Sequence, residues 1–105
     1  MDSMKAVIDG KSYNTETAEK LCEASSGLGN SDFKHWYEEL YRTKKGAYFL
    51  AGYGGPMTRW ARSCQGGGYS GSRGIRVLDD QEAREWVERH DNGAYESVFG
   101  AAPEA

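Results

Sequence analysis

The amino-acid sequence predicts an α+β fold, with an antiparallel sheet of about four to five strands and two main helices packed on one face. Three observations support this class. An Asp-Gly turn lies between two short runs near the start, apolar and aromatic runs of strand length follow, and a capped amphipathic helix comes near the end. The 105 residues fit a single domain, residues 1–105, with residues 1–4 and 101–105 expected to fray.

The first predicted element is a β-hairpin. Asp9-Gly10 joins residues 5–8 to residues 11–13, and this dipeptide is favoured in a two-residue turn because both central residues need positive φ. A helix is expected next, since Asn14 or Thr15 can cap it and the apolar residues 18, 21 and 22 follow helical spacing. It should end by residues 25–27, and a polar loop should follow to residue 32.

The middle of the chain predicts strands. The side chains of residues 33–42 fit the two alternating faces of a strand, and many are aromatic. The pairs Trp36 and Leu40, and Phe33 and Tyr37, also match helical spacing. Residues 47–53 are apolar on both faces, which indicates a central strand. Eight glycines follow within residues 52–74, with strands expected at 58–64 and 74–78 and a turn at 65–68.

The last helix has the clearest signal. Asp79 can cap it, with Glu82 as the reciprocal partner three residues later. The chain should leave this helix at residues 91–93 and add one further turn at 94–99. Its apolar stripe comprises Ala83, Trp86, Val87 and His90, and the predicted core anchors are Trp36, Trp60 and Trp86.

Composition limits the class of protein. Leu, Ile, Val and Phe total only 14 residues, but 13 aromatic residues and a net charge of -3 favour a folded, aromatic-rich core over disorder. No apolar run approaches the roughly 20 residues of a membrane span, and the first residues lack the features of a secretion signal. We therefore expect a cytoplasmic protein with no membrane partner.

Cysteine and histidine usage indicates no catalytic or metal site. Cys22 and Cys64 stand alone, without a Cys-x-x-Cys motif, and are expected to be reduced, partly buried thiols. Glu38 and Glu39 fall on opposite faces of their predicted strand, so they cannot act there as an acid/base pair. We predict a non-enzymatic protein without cofactor or metal.

Charge is strongly segregated along the chain. Residues 1–41 contain four basic and eight acidic side chains, residues 42–76 contain seven basic and no acidic ones, and residues 77–105 contain two basic and eight acidic ones. The basic segment could bind a phosphate backbone, pair with the protein's own acidic helices, or keep sheet edges from aggregating. The predicted aromatic and basic partner-binding residues are Tyr53, Arg59, Trp60, Arg62, Tyr69 and Arg73.

The acidic face of the last helix also has two interpretations. Its carboxylates could imitate nucleic-acid phosphates in the basic groove of a partner, or they could simply be a solvated face. The residues concerned are Glu82, Glu85, Glu88 and Asp91. The glycine motif Gly52-x-Gly54-Gly55 does not fit a Walker phosphate-binding loop and is equally explained by tight turns and bends.

Three motifs carry a resemblance. They are Gly10-Lys-x-Tyr-Asn-Thr-x-Thr-Ala18, Glu39-Leu-Tyr-x-Thr-Lys-x-Gly-x-Tyr-Phe-Leu-x-Gly-x-Gly-Gly55 and Glu82-Ala-x-x-Trp86. On these motifs, the chain resembles a family of short bacterial proteins of mobile genetic elements, carried on phages, plasmids and conjugative elements, which includes or neighbours anti-CRISPR inhibitors. The resemblance implies a mobile-element context and no catalytic residue.

Two functional hypotheses follow. The first is a small inhibitor that binds a Cas protein or CRISPR surveillance complex and blocks access of target DNA. The alternative is a nucleic-acid-binding accessory or regulatory protein that uses residues 42–76. Either would act as a monomer or as a homodimer through an exposed strand edge.

Overall fold

The computed structural model describes residues 2–105, so Met1, the first residue of the segment expected to fray, lies outside the described residues. An α+β fold is confirmed. No helical segment within residues 2–105 combines the length and apolar character that crossing a bilayer requires. The elements are β1 (Lys5–Ile8), β2 (Lys11–Asn14), β3 (Glu19–Ser25), β4 (Trp36–Arg42), β5 (Tyr48–Gly54), β6 (Arg62–Ser63), β7 (Tyr69–Ser70), β8 (Ser72–Leu78), α1 (Asp80–His90), a 3-10 turn (Asn92–Ala94) and α2 (Tyr95–Phe99).

The main sheet has four antiparallel strands in the order β3-β4-β5-β8. The predicted strands at 33–42, 47–53 and 74–78 are confirmed as β4, β5 and β8. Two further hairpins, β1-β2 and β6-β7, stand outside this sheet. The strand predicted over 58–64 is wrong for most of its length, because only β6 is extended and paired there.

The helix predicted to begin at Asn14 or Thr15 is wrong, because the chain forms the edge strand β3 instead. Asn14 does not cap a helix; its Oδ1 accepts from the Glu16 amide at 2.9 Å in a local turn. The register of β3 against β4 shifts between Lys20 and Cys22. This bulge interrupts the two-residue alternation, so the apolar positions imitate helical spacing.

The two faces of the main sheet have different coverings. On the side that we call the helix face, Leu40 and Leu50 are fully buried and pack with Trp86 and Val87 of α1. On the opposite side, which we call the hairpin face, Phe49 is fully buried and packs in one cluster with Tyr13 of β2. Each face of the sheet therefore has its own apolar cluster.

Helix α1 begins as the sequence predicts. The Asp79 carboxylate accepts from the Glu82 amide at 2.8 Å, and the Glu82 carboxylate accepts from the Asp79 amide at 3.0 Å. These reciprocal bonds satisfy two backbone donors at the helix start. Ala83, Trp86 and Val87 form the buried side, so the acidic residues of α1 face away from the sheet.

Candidate partner-binding surfaces

The acidic helix surface consists of Glu82, Glu85, Glu88 and Asp91 on α1 and its C-cap. The three glutamates are exposed and Asp91 is half-buried. Because three residues turn a helix by about 300°, the four residues lie on a diagonal across the exposed half of α1, with Glu82 and Asp91 on opposite sides. None of the four forms an ion pair with any residue in 2–105.

Two of these carboxylates are partly engaged with α1 itself. Glu82 forms the capping box with Asp79, and Glu85 accepts a hydrogen bond from the side-chain amide of Gln81 at 2.9 Å. Arg59 and Arg89 line a small cleft together with both glutamates, but neither guanidinium lies within 4.0 Å of them. The acidic helix surface is therefore bordered by positive charge without being neutralised by contact.

The basic segment, residues 42–76, makes its own ion pairs elsewhere. Arg42 pairs with Glu19 at 3.0 Å, Arg59 with Glu38 at 3.3 Å and Arg73 with the exposed Asp2 at 3.6 Å. The other basic residues of this segment form no ion pair within residues 2–105; they are Lys44, Lys45, Arg62 and Arg76. The basic segment and the acidic helix surface are thus not joined by ion pairs in the described structure.

The basic segment does not form one continuous surface. Lys44 and Lys45 lie in the turn before β5, whereas Arg59 and Arg62 follow the far end of that strand. Seven strand residues span about 20 Å, so these two pairs are at opposite ends of the sheet. The remaining three arginines are separated by face. Arg73 lies opposite Tyr53 on the hairpin face, while Arg42 and Arg76 lie on the helix face, opposite Tyr48 and Leu50.

Trp60 is not an exposed anchor, which corrects its predicted role in partner binding. Its side chain is 7% exposed and its Nε1 donates to Glu38 Oε2 at 2.9 Å. The ring lies over glycines of the helix face, since a Cβ added to Gly52 would be 2.9 Å from Trp60 Cζ2 and one added to Gly54 would be 3.0 Å from Cδ1. These two glycines of the motif therefore make room for a tryptophan.

Glu38 is the centre of this packing and was not singled out in the sequence as a structural residue. It is 3% exposed, and besides Trp60 it accepts from Trp86 Nε1 at 2.8 Å. The Arg59 guanidinium is its third partner, 3.3 Å from Glu38 Oε2. The indication in the sequence is its position: Glu38 lies between Trp36 and Leu40 on the same face of β4.

His90 and Cys22 are shielded groups of the helix face. The His90 ring lies between Trp36 and Trp86, with centroids 5.1 Å from each. Burial lowers the pKa of His90, against the opposing effect of Glu38. Burial, reinforced by Asp91, raises the pKa of the Cys22 thiol to about 11, which suppresses the reactive thiolate. The second thiol, Cys64, is exposed, unlike the partly buried thiol that was expected.

A second group of predicted residues lies on the hairpin face. Tyr53 is half-buried beside Tyr37 and His35, with ring centroids 5.7 Å and 6.3 Å away, and Arg73 is its cross-strand neighbour. Tyr69 is 67% exposed on the separate β6-β7 ribbon. The structure therefore brings Tyr53 and Arg73 together but places Tyr69 on another element.

Glu39 is the centre of a hydrogen-bond network on the hairpin face. Tyr41 donates to it at 2.9 Å, and Lys20 Nζ lies 3.1 Å away. The Tyr37 hydroxyl shares its single proton between Glu39 at 2.7 Å and Glu23 at 2.5 Å. Burial alone would raise the pKa of Glu39, but these three partners together lower it below its ordinary value. The same burial, with the Glu39 hydrogen bond, raises the pKa of Tyr41 to about 12.

Glu38 and Glu39 point to opposite faces of β4, as the alternation predicts, so they do not share a site. Within residues 2–105, no three His, Cys, Asp or Glu side chains gather as metal ligands would. Comparisons with protein-family models, curated proteins and solved structures found no match.

Proposed function

We propose that this chain is a small non-enzymatic inhibitor that binds a Cas protein or CRISPR surveillance complex through the acidic helix surface. The surface occupies a basic channel and excludes target DNA. The observation that supports the proposal is the outward display of Glu82, Glu85 and Glu88 without an ion pair within residues 2–105. Carboxylates presented in this way complement a groove that otherwise holds phosphates.

The anchoring of α1 supports a recognition role. The helix starts in a capping box, and Trp86 fastens its underside to the sheet through Glu38. A rigid element loses little conformational freedom on binding, so more of the interaction energy contributes to affinity. The resemblance to mobile-element proteins, some of which are anti-CRISPR inhibitors, supports a bacterial defence complex as the class of partner.

The direct test is competition with target DNA. A purified Cas surveillance complex is immobilised, and binding of this protein and of labelled target DNA are measured together by surface plasmon resonance. The proposal requires saturable binding of the protein and loss of DNA binding in proportion to occupancy. The double variant Glu85→Lys/Glu88→Lys should weaken association roughly tenfold or more, while leaving the Glu82 capping bond in place.

A matched control has the same change in net charge. Glu16→Lys/Glu104→Lys alters two exposed carboxylates that lie outside α1 and form no ion pair within residues 2–105. Equal loss of binding in both double variants would attribute the effect to net charge alone and would refute the acidic helix surface as the interface. Absence of binding to complexes of every CRISPR type tested would refute the inhibitor function itself.

Direct binding of nucleic acid by residues 42–76 is the second candidate, supported by four basic side chains without ion pairs in the described structure. Binding of this kind loses affinity steeply with salt, by roughly 0.7 to 0.9 log units per phosphate contact for each tenfold increase. A titration of labelled single- and double-stranded oligonucleotides at several salt concentrations measures it. No measurable binding at low salt would exclude this function.

A further inference from the structure

A cleft of about 550 Å³ lies between the turn of the β1-β2 hairpin and the turn that joins β4 to β5. Its walls come from residues 10–13 on one side and from residues 43–47 on the other. The volume falls within the range of small-molecule sites, roughly 300 to 1,000 Å³. This cleft is separate from the acidic helix surface, because none of its lining residues belongs to α1.

Three lysines give the cleft its charge. Lys11, Lys44 and Lys45 line it, and no Asp or Glu is among the lining residues. None of these ammonium groups has a carboxylate within 4.0 Å in residues 2–105. Three like charges around one cavity repel each other, and an anion between them relieves that repulsion.

Tyr13 adds an uncharged hydroxyl to the lining of the cleft. The residue is 7% exposed, and its ring is fixed edge-to-face against Phe49, with centroids 5.6 Å apart. Its hydroxyl has no hydrogen-bond partner within residues 2–105. Every fully enclosed polar side-chain atom in this range does have a partner, so the Tyr13 hydroxyl is accessible to solvent. Tyr13 is one of the residues that line the cleft, and its unpartnered hydroxyl is a donor for a bound acceptor.

We propose that this cleft binds a phosphate-bearing small molecule. Lys11, Lys44 and Lys45 surround the phosphate, and the Tyr13 hydroxyl donates a hydrogen bond to it. The cleft has more room than a single phosphate group needs, so it can hold a second phosphate or an organic group as well. Lysine suits this role because its ammonium is a compact charge with three donors on a flexible stem.

The test uses the full chain, labelled with 15N, and three probes: adenosine monophosphate, inorganic pyrophosphate and adenosine. Chemical shifts of the backbone amides report where each probe binds. The two phosphate probes should shift the amides of residues 10–13 and 43–47 with saturation at millimolar concentration, and adenosine should not. An equal response to adenosine, or no saturable response to either phosphate probe, would overturn the proposal.

Variants separate the site from general attraction to lysine. Lys44→Gln/Lys45→Gln should weaken binding of the phosphate probe roughly tenfold, and Tyr13→Phe should weaken it roughly threefold to tenfold without loss of the fold. The control Lys5→Gln/Lys34→Gln removes two exposed lysines outside the cleft and should leave affinity unchanged. If the control weakens binding as much as Lys44→Gln/Lys45→Gln, the cleft has no special role.

A fourth titration distinguishes free phosphate compounds from a nucleic-acid backbone. A short single-stranded oligonucleotide that shifts the same amides, while both small phosphate probes fail to saturate, would replace the small-molecule site with a nucleic-acid contact. None of these outcomes depends on a Cas complex. The cleft proposal and the inhibitor proposal therefore stand or fall separately.

Discussion

Glu38 shows how a single polar side chain organises the helix face. A buried carboxylate is costly to desolvate unless charged or polar partners surround it. Here two indole nitrogens and one guanidinium do so, and the three partners come from the glycine-rich loop and from α1. The carboxylate therefore fixes the positions of Trp60 and Trp86 relative to the sheet.

We predict that Glu38→Ala lowers the free energy of unfolding by about 3 kcal/mol, because it leaves both buried indole donors unsatisfied. Glu38→Gln should lower it less, since the amide oxygen can still accept one of the two bonds. Urea unfolding followed by tryptophan fluorescence measures both. An Ala variant as stable as the original would show that Glu38 does not hold the tryptophans in place.

The second prediction at the residue scale concerns the lack of room for a side chain at Gly52. A Cβ at this position would be 2.5 Å from the Tyr37 carbonyl oxygen and 2.9 Å from the Trp60 ring, and backbone cannot move aside cheaply. Gly52→Ala should therefore destabilise the protein by about 2 kcal/mol or more. Gly29→Ala is the matched control, because a Cβ there meets nothing within 4 Å. Thermal unfolding should show a loss for the first variant only.

The pKa of Glu39 predicts how stability depends on pH. Because folding lowers this pKa below its ordinary value of 4.5, the carboxylate stabilises the protein above that pH. This contribution is lost as the pH falls from 4.5 through the lower folded value. Glu39→Gln should flatten the acid side of the profile, measured by urea unfolding between pH of about 6 and 3.

The exposed Glu16, whose carboxylate forms no ion pair within residues 2–105, provides the control for this profile. Glu16→Gln should keep the slope of the original protein. A slope that is unchanged in Glu39→Gln would mean that the tyrosine and lysine partners do not favour the ionised form.

At the scale of the elements, the sequence predicts a helix or strand best where interactions between neighbouring residues determine it. The capping bonds join Asp79 and Glu82 only to each other's backbone, so their spacing was enough to place the start of α1. β4, β5 and β8 were also predicted, because their strand-like residues agree with their burial. β3 was not, since a bulge on an edge strand disrupts the alternation that identifies strands.

The cap of α1 gives the prediction at this scale. Asp79→Ala removes the acceptor for the Glu82 amide and should lower stability by about 1 kcal/mol. Hydrogen exchange of the first-turn amides should accelerate, while the amides of β5 should be affected only through global unfolding. Asp79→Asn retains a side-chain acceptor and should lose little. Similar losses in both variants would argue against the cap as the cause.

At the scale of the whole molecule, the sequence showed that basic and acidic residues fall in separate segments. It did not show where those segments lie in the folded protein. Trp60 was predicted both as a core anchor and as a partner-binding residue. The core role is confirmed, and the surface role is wrong because its partners Glu38 and Gly52, distant in sequence, bury it. The cleft beside Tyr13 was missed for the same reason, since it is formed by two turns more than 30 residues apart. Such sites depend on tertiary packing, which leaves little trace in local pattern.

The final prediction concerns the proposed inhibitor as a charged body. If the acidic helix surface meets a basic channel, long-range attraction accelerates encounter, and salt screens it over a length of about 10 Å at 0.1 M and about 3 Å at 1 M. The association rate with the Cas complex should therefore fall roughly tenfold across that range, with a much smaller change in dissociation rate. Glu85→Gln/Glu88→Gln should reduce the salt dependence of association, while Glu16→Gln/Glu104→Gln should reduce it less, because those carboxylates lie outside the contact. Stopped-flow measurement at several salt concentrations gives these slopes, and a salt-independent association rate would show that charge does not guide this protein to its partner.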